Sequence, residues 1–82
     1  MIPNAENYNG ATEYAHQLIE RIGKPQTWVA KRLGVSDRRV RYILKGSRIV
    51  NGAETEVHMT YTEQFTLECL AIAVESAADL SA

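Results

Sequence analysis

The sequence predicts a mainly α-helical domain with a small β-hairpin and a long C-terminal helix. Three observations predict it. Three stretches with apolar residues at helical spacing each end on a glycine, at Gly23, Gly34 and Gly46. Beyond Ser47 the period shortens to two residues, next to an Asn51-Gly52 turn signal. Near the C-terminus, Cys69 to Val74 is apolar at every position.

Residues 1–10 are polar, end in Gly10 and read as an N-terminal arm or loop. From Thr12 to Ile22, Tyr14, Ala15, Leu18, Ile19 and Ile22 form the apolar stripe of an amphipathic helix that Gly23 ends. Pro25 suits a first helical turn, and Gln26 to Leu33 is a short helix burying Val29, Ala30 and Leu33. Ser36 is a good N-cap for a third helix over Asp37 to Lys45, and Asp37 suits the positive end of its dipole. Within 47–61, read as a connecting loop or hairpin, Thr55, Val57, Met59 and Tyr61 alternate with polar residues. This predicts strands over 48–50 and 53–59. Thr60 and Glu63 match a capping box opening a helix over 62–78, within a C-terminal segment 62–80. That helix is apolar all round, whereas the core of so short a chain covers one side. A second copy is therefore expected on the other, through Phe65, Leu67, Cys69, Leu70, Ile72, Ala73 and Val74.

Composition narrows the function. With 82 residues, 45% of them hydrophobic and 23% charged, the chain is one ordinary globular domain rather than a fibrous or disordered one. No apolar run is long enough to span a bilayer, and the N-terminus has no signal-peptide pattern, so a cytoplasmic protein is expected. One Cys and two scattered His make neither an internal disulfide nor a zinc site. No phosphate loop, paired carboxylates in a cleft or triad is visible, so neither an enzyme nor a cofactor is expected.

The net charge of −1 hides a division. All nine Lys and Arg fall between Arg21 and Arg48 with one acid, Asp37, a local balance of +8. The rest of the chain carries −9. Such a division predicts one basic face on an acidic body.

The helical core over 12–46, read as a DNA-binding core, also carries a motif. Two short helices joined at Gly34, with small Ala30 before the turn, Val35 after it, and Val40 and Ile43 packing back, resemble the DNA-binding helix-turn-helix family. At 100° per residue, Val40, Ile43 and Leu44 centre near about 295° on the third helix, with Arg38, Arg41, Tyr42 and Lys45 on the opposite side. A face of donors opposite an apolar face suits the DNA major groove. The resemblance implies base reading by Ser36, Arg38, Arg41 and Tyr42. It also implies phosphate contacts by Gln26 and Thr27, at a helix N-terminus. Lys31, Arg32, Arg39, Lys45 and Arg48 are further candidates for phosphates. Trp28 is expected to pack against the first helix or to lie along the DNA backbone.

A narrower resemblance spans roughly residues 14–72. Val35-Ser36-Asp37-Arg38, Val40-Arg41-Tyr42, and then Tyr61-Thr62-x-Gln64-Phe65-x-Leu67-Glu68-x-Leu70-Ala71 are similar to the anti-CRISPR-associated (Aca) regulators of phages and mobile elements. That family implies a homodimeric autorepressor, in the bacterial host cell, that binds an inverted repeat in the promoter of its own operon. The family often has basic residues where Thr27 and Trp28 stand. Two other readings remain open. One is an excisionase-like architectural protein with the hairpin as a wing. The other is a protein-interaction module, such as an antitoxin or inhibitor, presenting its acidic parts to a basic partner.

Overall fold

A computed structural model describes residues 5–81 of the chain, and side chains between 6 and 77. Residues 1–4 of the expected arm and the side chains beyond Ala77 lie outside the described residues. A short 3-10 turn, Ala5–Asn7, precedes three helices, α1 (Thr12–Ile22), α2 (Gln26–Leu33) and α3 (Asp37–Lys45). Strands β1 (Ser47–Val50) and β2 (Ala53–Glu56) follow, and α4 (Tyr61–Ser81) ends the chain.

The turn between α2 and α3 is built around Gly34. Its φ of +75° is left-handed, and its N–H and that of Val35 both return to the Ala30 carbonyl, at 2.9 and 3.1 Å. The chain thus reverses in two residues, and Ser36 restarts a helix by accepting the Arg39 N–H at 3.1 Å. Gly46 ends α3 with a φ of +81°, against α1: a Cβ there would stand 2.6 Å from Thr12 Oγ1.

One core holds the helices together. Ala15, Leu18 and Ile22 of α1, Val29 of α2, Ile43 of α3, Val57 and Met59, and Leu67 and Ala71 of α4 form a single buried cluster. The expected alternation holds at Val57 and Met59 but not in β2, where Thr55 and its neighbours are all exposed. β2 stops at Glu56, three residues short of the expected 59. Val57 instead gives its N–H to the Gly46 carbonyl at 2.9 Å, and Val57 and Met59 turn into the core. The hairpin is antiparallel, with Val50 opposite Ala53. Asn51 and Gly52, with φ of +52° and +80°, make the left-handed two-residue turn that matches strand twist.

Helix α4 starts one residue before the expected 62, and the capping box forms as predicted. Glu63 N–H reaches Thr60 Oγ1 at 3.1 Å, and Thr60 N–H reaches Glu63 Oε1 at 2.7 Å. The helix is not a bare dimer surface, however. Leu67, expected at a contact between copies, is wholly buried in the protein's own core, so it cannot touch a partner. Phe65, Cys69, Leu70 and Val74 are half-buried, and Ile72 and Ala73 are exposed.

A polar strap crosses the N-terminal half of α4. Gln64 is fully buried, accepting the Asn9 N–H at 2.7 Å and donating to the Asn7 carbonyl at 2.9 Å. Tyr8 donates to the Met59 carbonyl at 2.6 Å. Three consecutive residues of the arm are thereby tied to α4 and the segment before it. A buried amide with both its donor and acceptor used in this way costs little and specifies one packing.

Candidate nucleic-acid interface

Helix α3 buries Val40 and Ile43 and turns Ser36, Asp37, Arg38, Arg41 and Lys45 to solvent. The helical spacing dictates this: the apolar residues fall on one side, and the exposed ones follow around the other. Gln26, Thr27, Lys31 and Arg32 of α2 are exposed as well, and so is Arg48 of β1.

The cations divide by what they touch. Among the described residues, only Arg21 and Arg39 of the nine Lys and Arg pair with a carboxylate. Lys31, Arg38, Arg41 and Lys45 face solvent with no acid within 4.0 Å among the described residues. An exposed cation on an ordinary helix gains from an acid one turn away. Here the only acid in α3 is Asp37, at the N-terminus where the dipole favours it. Arg38 and Arg41 therefore present their charge to solvent from one face of α3.

Arg39 departs from the expectation of a phosphate contact. Its Nε and Nη2 grip Glu63 at 3.0 and 2.8 Å, and Nη2 also reaches the His58 carbonyl at 3.1 Å. The reason is its place on the wheel: Arg39 leaves α3 on the flank facing the start of α4. The Glu63 hydrogen bonds raise the Arg39 pKa above its ordinary value, outweighing the effect of burial. Burial pushes the Glu63 carboxyl up, but the bonds from Arg39 and Thr60 overcome it and hold the carboxyl below its ordinary range. Arg39 is therefore a strut between the two helices.

Glu63 sets a pH dependence whose sign follows from that shift. A carboxylate with a lowered folded pKa stabilises fully above the ordinary value of about 4.3 and loses this as pH falls toward the folded value. Glu63→Gln should cost about 1–3 kcal/mol in urea unfolding at pH 7, the range for a hydrogen-bonded charged group. The penalty should shrink at acid pH, where the wild-type carboxyl is itself protonated. An equal penalty at both pH values would show that the pair's charge does not matter.

Tyr42 and Arg32 are each held against a neighbouring side chain. Tyr42 is half-buried against the core, with the Arg48 guanidinium 5.9 Å from its ring centre, so its ring is a support rather than a free reader. Arg32 lies over the Trp28 ring at 4.9 Å, with Lys24 at 5.9 Å from the same ring. Trp28 itself lies along α4, lining a groove with Leu70, Ala73, Val74 and Ala77. Ser36, Arg38, Arg41, Lys31, Lys45, Gln26 and Thr27 are all exposed.

The hairpin follows α3 directly, as a wing would, but its charge is unsuitable. Glu54 and Glu56 of β2 are fully exposed and line a cleft with Lys45 and Thr12. A strand with two carboxylates and no cation repels phosphate. His58, beyond β2, hydrogen-bonds the Gly10 carbonyl at 3.0 Å and Glu56 at 3.3 Å. Its pKa is raised first by the Gly10 bond and then by Glu56. His16, the other histidine, sits 2.7 Å from the Leu44 carbonyl.

Residues not singled out as site residues in the sequence tie α4 to the rest of the molecule, with Glu63 alone of them reaching α3. Glu63 and Gln64 are examples, and Tyr14 is another. Tyr14 donates to Glu68, and burial together with this bond pushes its pKa up to about 12. A polar residue inside an apolar helix was the available signal for Gln64. No local pattern identifies the partner of Arg39, which lies 24 positions away.

Comparison with protein-family models and with curated proteins finds no match to this chain.

Proposed function

We propose that this protein is a sequence-specific DNA-binding repressor that acts as a homodimer on an inverted repeat, of the autorepressor kind that the Aca resemblance implies. One observation carries the reading: Arg38, Arg41 and Lys45 share one exposed face of α3, just after a tight two-helix turn, and among the described residues they have no carboxylate within 4.0 Å. In this reading α3 enters the major groove. Arg38 and Arg41 read bases with Ser36, and Gln26, Thr27, Lys31 and Lys45 hold phosphates. Repression follows from occluding the promoter that contains the repeat. No step requires a cofactor or a catalytic group, and the working place is the cytoplasm of a bacterial host. Among the described residues, no helix is long and apolar enough to cross a membrane.

The acidic hairpin disfavours the architectural, excisionase-like alternative, in which β1 and β2 would enter the minor groove. The interaction-module alternative requires the acidic surface, rather than the basic one, to bind. A gel shift with the promoter fragment upstream of the gene decides between them. A discrete complex, lost at moderate salt and absent with scrambled DNA, is expected. Absence of any complex at low salt would sink the repressor reading.

Lys45→Ala provides a second check. It should weaken binding to cognate and scrambled DNA alike and reduce the log–log salt slope by about one. A loss confined to the cognate sequence would move Lys45 among the base readers.

A further inference from the structure

His58 lies between two acceptors. Its Nδ1 is 3.0 Å from the Gly10 carbonyl of the arm, and its Nε2 is 3.3 Å from the Glu56 carboxylate at the end of β2. A neutral imidazole has one N–H, whereas a carbonyl and an ionised carboxylate can only accept. Only the imidazolium, with two N–H groups, donates to both at once. The fold prepares the meeting at Gly10. A Cβ there would collide with the Tyr8 hydroxyl and stand 3.3 Å from the His58 Cβ, so the missing side chain lets both neighbours close on the arm.

We infer that His58 is a proton-operated clasp: its imidazolium ties the N-terminal arm to strand β2, and loss of one proton lets the two part. The charged groups around it fit that role. β2 presents Glu56 and, on the same face of the strand, Glu54. The arm presents the Tyr8 hydroxyl, which donates to the Met59 carbonyl. From α3, Arg39 reaches the His58 carbonyl, and from α4 Glu63 neutralises Arg39. The Gly10 bond and then the Glu56 bond hold the His58 pKa above its ordinary value of about 6.5. A raised folded pKa stabilises below the ordinary value and loses this as pH rises through the folded value. The clasp is therefore closed in mild acid and open in mild base. The arm's other ties, Tyr8 to Met59 and Asn7 and Asn9 to Gln64, use no histidine or carboxylate, so they do not titrate in that range.

The clasp regulates the proposed DNA site, and this part rests on that reading. Glu54 and Glu56 border the cleft that holds Lys45, at the end of α3. A closed clasp pairs one of these carboxylates with a cation, so phosphate meets less repulsion there.

The clasp is tested without DNA by NMR on the whole chain. The His58 ring should titrate above about 6.5, and Glu56→Gln should lower its midpoint. Protection of the Asn9 amide from hydrogen exchange, relative to the Val40 amide of α3, should fall as pH rises through that midpoint. In His58→Ala it should be low at every pH. A midpoint at or below about 6.5, or Asn9 protection untouched by His58→Ala, would overturn the clasp. For the DNA site, wild-type binding to the cognate duplex should be several-fold tighter at pH 6 than at pH 8. Glu56→Gln and His58→Ala should both lose this difference. A difference kept in both variants would belong to another group, such as His16 on the Leu44 carbonyl, and would remove the clasp's part in regulation. No DNA binding at either pH would sink the repressor reading, while the NMR results would still decide the clasp.

Discussion

Arg38→Ala should remove the ability to tell the cognate repeat from a scrambled duplex, losing about 1–3 kcal/mol of discrimination per half-site. Arg38 lies in the first turn of α3, exposed, with no carboxylate partner among the described residues. A guanidinium in that position is free to meet guanine O6 and N7 with both arms. Its neighbour Arg39 is the built-in control. Arg39 is committed to Glu63, so Arg39→Ala should lower stability and affect cognate and scrambled DNA equally. Titration of both duplexes at one fixed salt concentration checks this. Unchanged discrimination in Arg38→Ala would remove Arg38 from the base readers.

The second large effect is on folding. Leu67→Ala should destabilise the protein by about 2–5 kcal/mol, the range for truncating a buried leucine. Leu67 is fully buried beside Leu18, Ile22 and Met59 in the single core cluster. A domain of this size has roughly 5–15 kcal/mol in total, so much of the fold's margin disappears. The diagnostic feature is where the loss is felt. A core residue destabilises the chain at any protein concentration, whereas a dimer contact shows a loss that depends on concentration. Urea unfolding at two concentrations a hundredfold apart distinguishes them. A midpoint shift seen only at the lower one would return Leu67 to the interface between copies.

Local signals in the sequence marked the helices well and their partners poorly. The bounds of α1, α2 and α3 were legible because a left-handed glycine follows each last turn, at Gly23, Gly34 and Gly46. Such a stop depends on a few adjacent residues. The end of β2 was not legible. Alternation marks which residues face inward, and Val57 and Met59 do so whether or not a neighbouring strand pairs with them. In α4, an apolar surface on every side carries no mark of which side meets the chain's own core, so Leu67 and Ile72 looked alike. The basic face was legible by charge clustering, but the strut within it was not. Arg39 differs from Arg38 and Arg41 only through a carboxylate brought to it by tertiary packing.

The Arg39–Glu63 strut has a mechanical consequence. It fastens α3 to the first turn of α4 by two hydrogen bonds to one carboxylate. If α4 joins the copies, the two reading helices are the fixed jaws of a caliper rather than independent probes on hinges. Such a caliper measures. Adding one base pair between half-sites moves the second by about 3.4 Å and rotates it by about one tenth of a turn. Rigid jaws cannot follow that displacement without breaking the strut or losing a half-site. On the proposed function, spacing between the repeats would then be read as strictly as their letters, by residues that never touch a base.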